Sequence, residues 1–148
     1  MIHKAGLPTD IDVRTLREKY PWEELNEGDI IPYSDIEKLL GVNKHSNRFT
    51  TVTNKWRGAI LYETNTVIGA ERGIGFKILD NAEKVDLTGL KLKAAESALR
   101  KSQLFGSKID TSRISDVDKA RLHSFTSVAA KTVAMLQIKS KLQLPEMS

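Results

Sequence analysis

The stretch from Ile30 to Leu79 constrains this chain's fold more than any other. Helix-type and strand-type periodicity follow one another there, each with its stop signals in place. Ser34 and Glu37 have the spacing of a capping box. Ile36, Leu39 and Leu40 make an apolar side behind them, and Gly41 stands where such a helix ends in a left-handed residue. After the connection Val42 to His45, Ser46 or Asn47 is placed to cap a second helix running to about Glu63. Phe49, Val52, Trp56, Ala59 and Ile60 recur along it at helical spacing. Two β-rich runs, Thr66 to Ala70 and Ile74 to Leu79, flank Glu71-Arg72-Gly73 and predict a hairpin with Ile74, Phe76 and Ile78 on one apolar face. Ile30 to Tyr33 is short and extended, and Pro32 confines it to an edge.

Helix, turn, helix and hairpin, in that order, are the parts of a winged helix-turn-helix. The expectation is therefore an α+β, mostly helical chain with that module over residues 30–80. Residues 1–29 read as an acidic helical segment packing on the module. Asp10 or Asp12 caps a helix to about Lys19, with Val13 and Leu16 inward, and Pro21 ends it. Residues 80–87 read as a link. Residues 88–141 read as a C-terminal helical hairpin or dimerisation extension. One helix is capped by Thr88 and runs to about Gln103; the other starts at Ser115 and runs to about Lys141, with Pro145 as its stop. The second carries Leu122, Phe125, Ala129, Val133 and Leu136 as a stripe that one partner helix does not fully cover, so a homodimer through these helices is expected.

Charge is unevenly distributed. Residues 1–37 hold 4 Lys/Arg against 9 Asp/Glu, whereas residues 38–77 hold 7 against 2. A basic block behind an acidic start suits a polyanion. Turning Phe49, Val52, Trp56 and Ile60 inward leaves Asn47, Thr51, Asn54 and Gly58 on the outward side of the second helix. Arg48, Lys55 and Tyr62 fall on one flank, and Thr50 and Arg57 on the other. Asn and Thr present amides, hydroxyls and a methyl to base edges, while Arg and Lys reach guanine or phosphate. Arg72 at the hairpin tip and Lys44 in the turn add cations beside that face. The expected nucleic-acid site is thus Lys44, Asn47, Arg48, Thr50, Thr51, Asn54, Lys55, Arg57, Gly58 and Arg72, with double-stranded DNA as the partner.

The run Gly69-Ala70-Glu71-Arg72-Gly73-Ile74-Gly75-Phe76-Lys77-Ile78-Leu79 resembles the wing of bacterial response-regulator output domains, whose last hairpin carries an Arg-Gly-aliphatic-Gly-aromatic-basic sequence. The resemblance spans about residues 30–79 and implies that the helix from Ser46 to Glu63 is the recognition helix. The upstream four-stranded sheet of that family is not evident, so transcription activation is not implied. A compact wing module with a helical tail is also similar in style to small phage-encoded DNA-binding proteins.

Other chemistry is poorly provided for. The chain has no cysteine, which excludes disulfides, thiolate zinc sites and cysteine nucleophiles. His3, His45 and His123 share no ligand spacing. Glu23-Glu24 lacks an accompanying base or nucleophile. The chain therefore reads as a non-enzyme with no cofactor and no metal. No run approaches the ~18–20 apolar residues of a membrane span, and no charged stretch with an apolar core opens the sequence. A cytoplasmic DNA-binding protein, acting as a transcriptional regulator or replication accessory factor, is the expectation. Its rival is a protein-docking adaptor or inhibitor that uses the same fold as a scaffold for a host protein partner.

Overall fold

The computed structural model describes residues 6–141, with side chains to residue 137. Pro145 and the side chains of Lys139 and Lys141 lie outside the described residues. The elements run α1 (Asp10–Lys19), a 3-10 turn (Trp22–Glu24), β1 (Ile30–Pro32), α2 (Tyr33–Leu40), α3 (Asn47–Glu63), β2 (Ile68–Glu71), β3 (Gly75–Ile78), α4 (Asn81–Ser107), a second 3-10 turn (Thr111–Arg113) and α5 (Asp116–Lys141). The chain is α+β, mostly helical, with one small sheet. It divides into two units, Met1–Val85 and Asp86–Ser148, the boundary falling within α4.

In the first unit the three strands pair antiparallel in the order β1-β3-β2. Ile31 lies opposite Phe76 across one ladder, and Ala70 lies opposite Phe76 across the other. A turn closed by the Ile74 N–H on the Glu71 carbonyl (3.1 Å) joins β2 to β3. Phe76 and Ile78 face inward as expected, but Ile74 sits in that turn and is exposed. Gly75 is needed for packing: a Cβ there would stand 2.2 Å from the Ile31 carbonyl oxygen of β1. The sheet and helices enclose Leu16, Ile31, Ile36, Leu40, Phe49, Val52, Trp56, Ile60, Ile68, Phe76 and Ile78. Aromatic rings tie the centre together. Tyr33 meets Phe76 edge-on at 5.0 Å, and Trp56 meets it edge-on at 6.0 Å.

Local signals account for most boundaries. Ser46 caps α3 by accepting from the Phe49 N–H, and Gly41 ends α2 in the left-handed region. The Ser34–Glu37 capping box does not form. Pro32 takes the N-cap position, so α2 starts at Tyr33, and Glu37 instead accepts from the Lys44 N–H at 2.6 Å. Residues 81–87 are not a link but the first turns of α4. A reciprocal box begins that helix: the Glu83 N–H donates to Asp80 Oδ1 (2.8 Å) and the Asp80 N–H to Glu83 Oε2 (3.0 Å). Thr88 is therefore inside a helix, not its cap.

The second unit carries the rest of α4 and α5, the latter capped by Ser115 accepting from the Asp118 N–H. Gly106 lies within α4 and faces Leu122 and Thr126 of α5, where a Cβ would meet Thr126 Cγ2 at 3.2 Å. Among the described residues, Ala129 and Val133 are the side chains this unit buries.

Candidate nucleic-acid interface

The inward stripe of α3 is Phe49, Val52, Trp56 and Ile60, joined by Thr53, whose buried hydroxyl donates to the Phe49 carbonyl (2.8 Å). The opposite side presents Asn47, Thr50, Thr51 and Asn54, all exposed. From Lys38 to Tyr62 the sequence contains no carboxylate. The outward strip is therefore neutral and hydrogen-bonding, with cations around it. Gly58 continues the strip, and a Cβ there would meet nothing within 4 Å. Leu61 and Tyr62 follow, with Tyr62 90% exposed.

The flanking cations differ in how freely they can act. Arg48 Nε donates to Asp12 Oδ2 at 2.8 Å, and its terminal nitrogens donate to the Leu7 and Pro8 carbonyls. Only 15% of its side chain and 7% of that of Asp12 are exposed. Arg48 thus fastens α3 to the start of α1. Lys55 points the same way, donating to Thr9 Oγ1 at 2.7 Å with Asp10 nearby. Arg57 is half-buried. Its guanidinium lies 4.8 Å from the centre of the Phe76 ring, and it donates to Asn54 Oδ1 at 2.8 Å. Burial is the main influence on Arg57 and lowers its pKa. Its Nε and the Trp56 indole nitrogen are buried without a partner among the described residues. Lys44 and Arg72 are exposed, in the turn before α3 and in the turn of the hairpin.

A cleft of about 320 Å³ opens between α3, the turn before it and the hairpin. Tyr33, Phe49 and Phe76 lie at its apolar side; Lys44, His45, Thr50, Asn54, Arg57 and Gly73 supply its polar lining. No carboxylate lines it. The structure thus brings Lys44, Thr50, Asn54 and Arg57 to one opening. Asn47, Thr51 and Gly58 lie along the exposed strip, Arg72 is in the hairpin turn, and Arg48 and Lys55 are drawn toward α1.

Sequence reasoning did not anticipate the Arg57–Asn54 bond or the tie of Arg48 to Asp12. Helical spacing places residues 54 and 57 within reach of each other, so the first had a signal. The second joins residues 36 apart, and no local pattern announces it.

Among the described residues no group of three or more His, Cys, Asp or Glu could hold a metal ion. None of the described helices is long and apolar enough to cross a membrane. Comparison with known protein families, curated proteins and solved structures gives no match.

Proposed function

We propose that residues up to Val85 form a winged helix-turn-helix that binds double-stranded DNA with α3 in the major groove, and that the protein acts by binding rather than by catalysis. The supporting order is helix, strand, helix, helix, two-stranded hairpin, with the first strand paired to the last. The observation that carries the reading is the outward side of α3. Four exposed amide and hydroxyl side chains stand on a helix whose one carboxylate, Glu63, is its last residue and pairs with Arg17, beside a cleft lined by Lys44 and Arg57. An ordinary solvated helix face mixes acids with bases; this one suits a polyanion and offers groups that discriminate base edges.

The geometry distributes the roles. Asn54 is held by Arg57 through its carbonyl oxygen, which fixes the amide plane and leaves its NH2 to donate to a base edge. Asn47, Thr50 and Thr51 flank it. Lys44 and Arg72 are the phosphate contacts, from the turn and from the hairpin. Arg48 orders α3 against α1 instead of meeting the backbone of the duplex.

Selection from a random duplex pool, followed by titrations across salt, tests this. An enriched motif is the expected result. Asn54→Ala should cost about 1–3 kcal/mol on the selected site and little on random duplex. Arg72→Ala should weaken both alike and lower the salt slope by about one. A pool that enriches nothing, with no duplex binding at low salt, overturns the reading.

A further inference from the structure

The cleft between α3, the turn before it and the hairpin holds a cation that its surroundings leave electrically unbalanced. Arg57 is half-buried, with its guanidinium 4.8 Å from the centre of the Phe76 ring. A guanidinium has five N–H donors. Those of Arg57 go to neutral groups, Asn54 Oδ1 at 2.8 Å and the Ile68 carbonyl at 3.5 Å, and its Nε is buried without a partner among the described residues. It takes part in no ion pair among those residues. Glu63 pairs with Arg17, Glu37 accepts from the Lys44 N–H, and neither lines the cleft. A charge withdrawn from water is costly unless an opposite charge faces it. The burial that lowers the Arg57 pKa is the same cost seen from the proton's side.

We infer that this cleft binds a small aromatic carboxylate, its carboxylate paired with Arg57 and its ring set against the aromatic side of the cleft. Tyr33, Phe49 and Phe76 form that side, with Tyr33 edge-on to both phenylalanines. The volume of about 320 Å³ falls in the range of ~300–1,000 Å³ typical of small-molecule sites, which join apolar walls to a few convergent polar groups. A carboxylate meets the guanidinium fork with one oxygen for each parallel N–H. Its single charge equals that of the one half-buried cation. The second charge of a phosphate dianion falls instead to Lys44, which lines the cleft but is exposed, where water and salt screen it. A phosphodiester also presents no ring to the aromatic side. The site stands independently of the DNA-binding reading.

Titration of the ¹⁵N-labelled full chain with benzoate, followed by amide chemical shifts in the absence of DNA, tests this. Saturable shifts should appear at Thr50, Asn54, Arg57 and Gly73, with a Kd on the order of 1 mM for so small a probe. Benzamide has the same shape without the charge, and acetate the same charge without the ring. Each should bind about tenfold more weakly or worse, because a hydrogen-bonded charge or the ring contact is lost. Inorganic phosphate should likewise bind more weakly than benzoate. Arg57→Gln should remove the preference for benzoate over benzamide, and the comparison of probes on the wild-type chain needs no variant to fold. Benzoate shifts that do not saturate or that scatter over surface lysines, equal binding of benzoate and benzamide, phosphate binding as tight as benzoate, or a preference that survives Arg57→Gln each overturns the inference.

Discussion

The two units differ in aromatic content, every Trp and Tyr lying in the first, and they solve burial differently. The first wraps helices and a three-stranded sheet around eleven buried apolar side chains, with Trp56 and Phe76 at the centre. The second spends two long helices and, among the described residues, buries only Ala129 and Val133. Ordering each residue costs ~1–2 kcal/mol of backbone entropy, and apolar burial is the main term that offsets it. The first unit meets that cost within one chain. The second leaves large apolar side chains such as Phe105, Val117 and Met135 exposed.

The sharpest way to break this contrast is to empty each core. Trp56 is fully buried, and Trp56→Ala should lower unfolding stability by about 3–5 kcal/mol. Val133→Ala removes far less volume from a thin interface. It should cost no more than about 1.5 kcal/mol in dilute protein, in line with small core truncations. Denaturant titrations read by circular dichroism compare the two. Equal losses would mean that the second unit has a core of its own.

Gly75 gives the next largest effect. Its missing Cβ lets β1 and β3 approach so closely that Gly75→Ala should cost about 1–3 kcal/mol through forced displacement of the strands. The same substitution at Gly106 meets the ends of Thr126 and Leu122 side chains, which can move. It should be tolerated better, again separating a rigid unit from an adaptable one.

These particulars show what the sequence could disclose. The inward stripe of α3, its Ser46 cap and the glycine that ends α2 are local, repeating at three, four or a few residues, and they were legible. The expected Ser34–Glu37 box failed because Pro32 took the capping position first. The box that does form, Asp80 with Glu83, has the same kind of spacing but lies in a stretch read as a link. The pairing of Arg48 with Asp12 and the Gly75 contact with Ile31 depend on elements far apart in sequence. Of the candidate site, the neutral outward strip was legible. Which cations remain free around it was not, because that depends on α1 docking beside α3.

Gly58 separates stability from binding. It sits mid-helix and half-buried, in line with the outward strip, with open space where a Cβ would be. Gly58→Ala should therefore stabilise the first unit by up to about 1 kcal/mol. If α3 enters a groove, the added methyl also crowds the closest approach and should weaken duplex binding two- to tenfold. A variant more stable and equally tight would remove Gly58 from the interface while leaving Asn54 and its neighbours untouched.

The smallest effect lies where α4 leaves the first unit. Lys77 of β3 donates to Glu83 at 2.5 Å, fastening the first turn of α4 to the sheet. The lysine hydrogen bond, with help from the Asp80 backbone, holds the Glu83 carboxyl below its ordinary value of 4.5, and the same bond raises Lys77. A depressed carboxylate contributes stability above its unfolded pKa and loses it as pH falls through the folded value. A raised lysine contributes below its ordinary value of 10.5 and loses it as pH rises past the folded one. Glu83→Gln should therefore lower the thermal midpoint slightly at neutral pH, and the two proteins should converge as the pH falls below 4.5 and through the lowered folded value, where the wild-type carboxyl becomes protonated. Both side chains are partly open to solvent, so salt should narrow the neutral-pH gap. A gap that persists unchanged at low pH would assign the effect to the capping geometry at Asp80, and the ionic fastening of α4 to the sheet would fall.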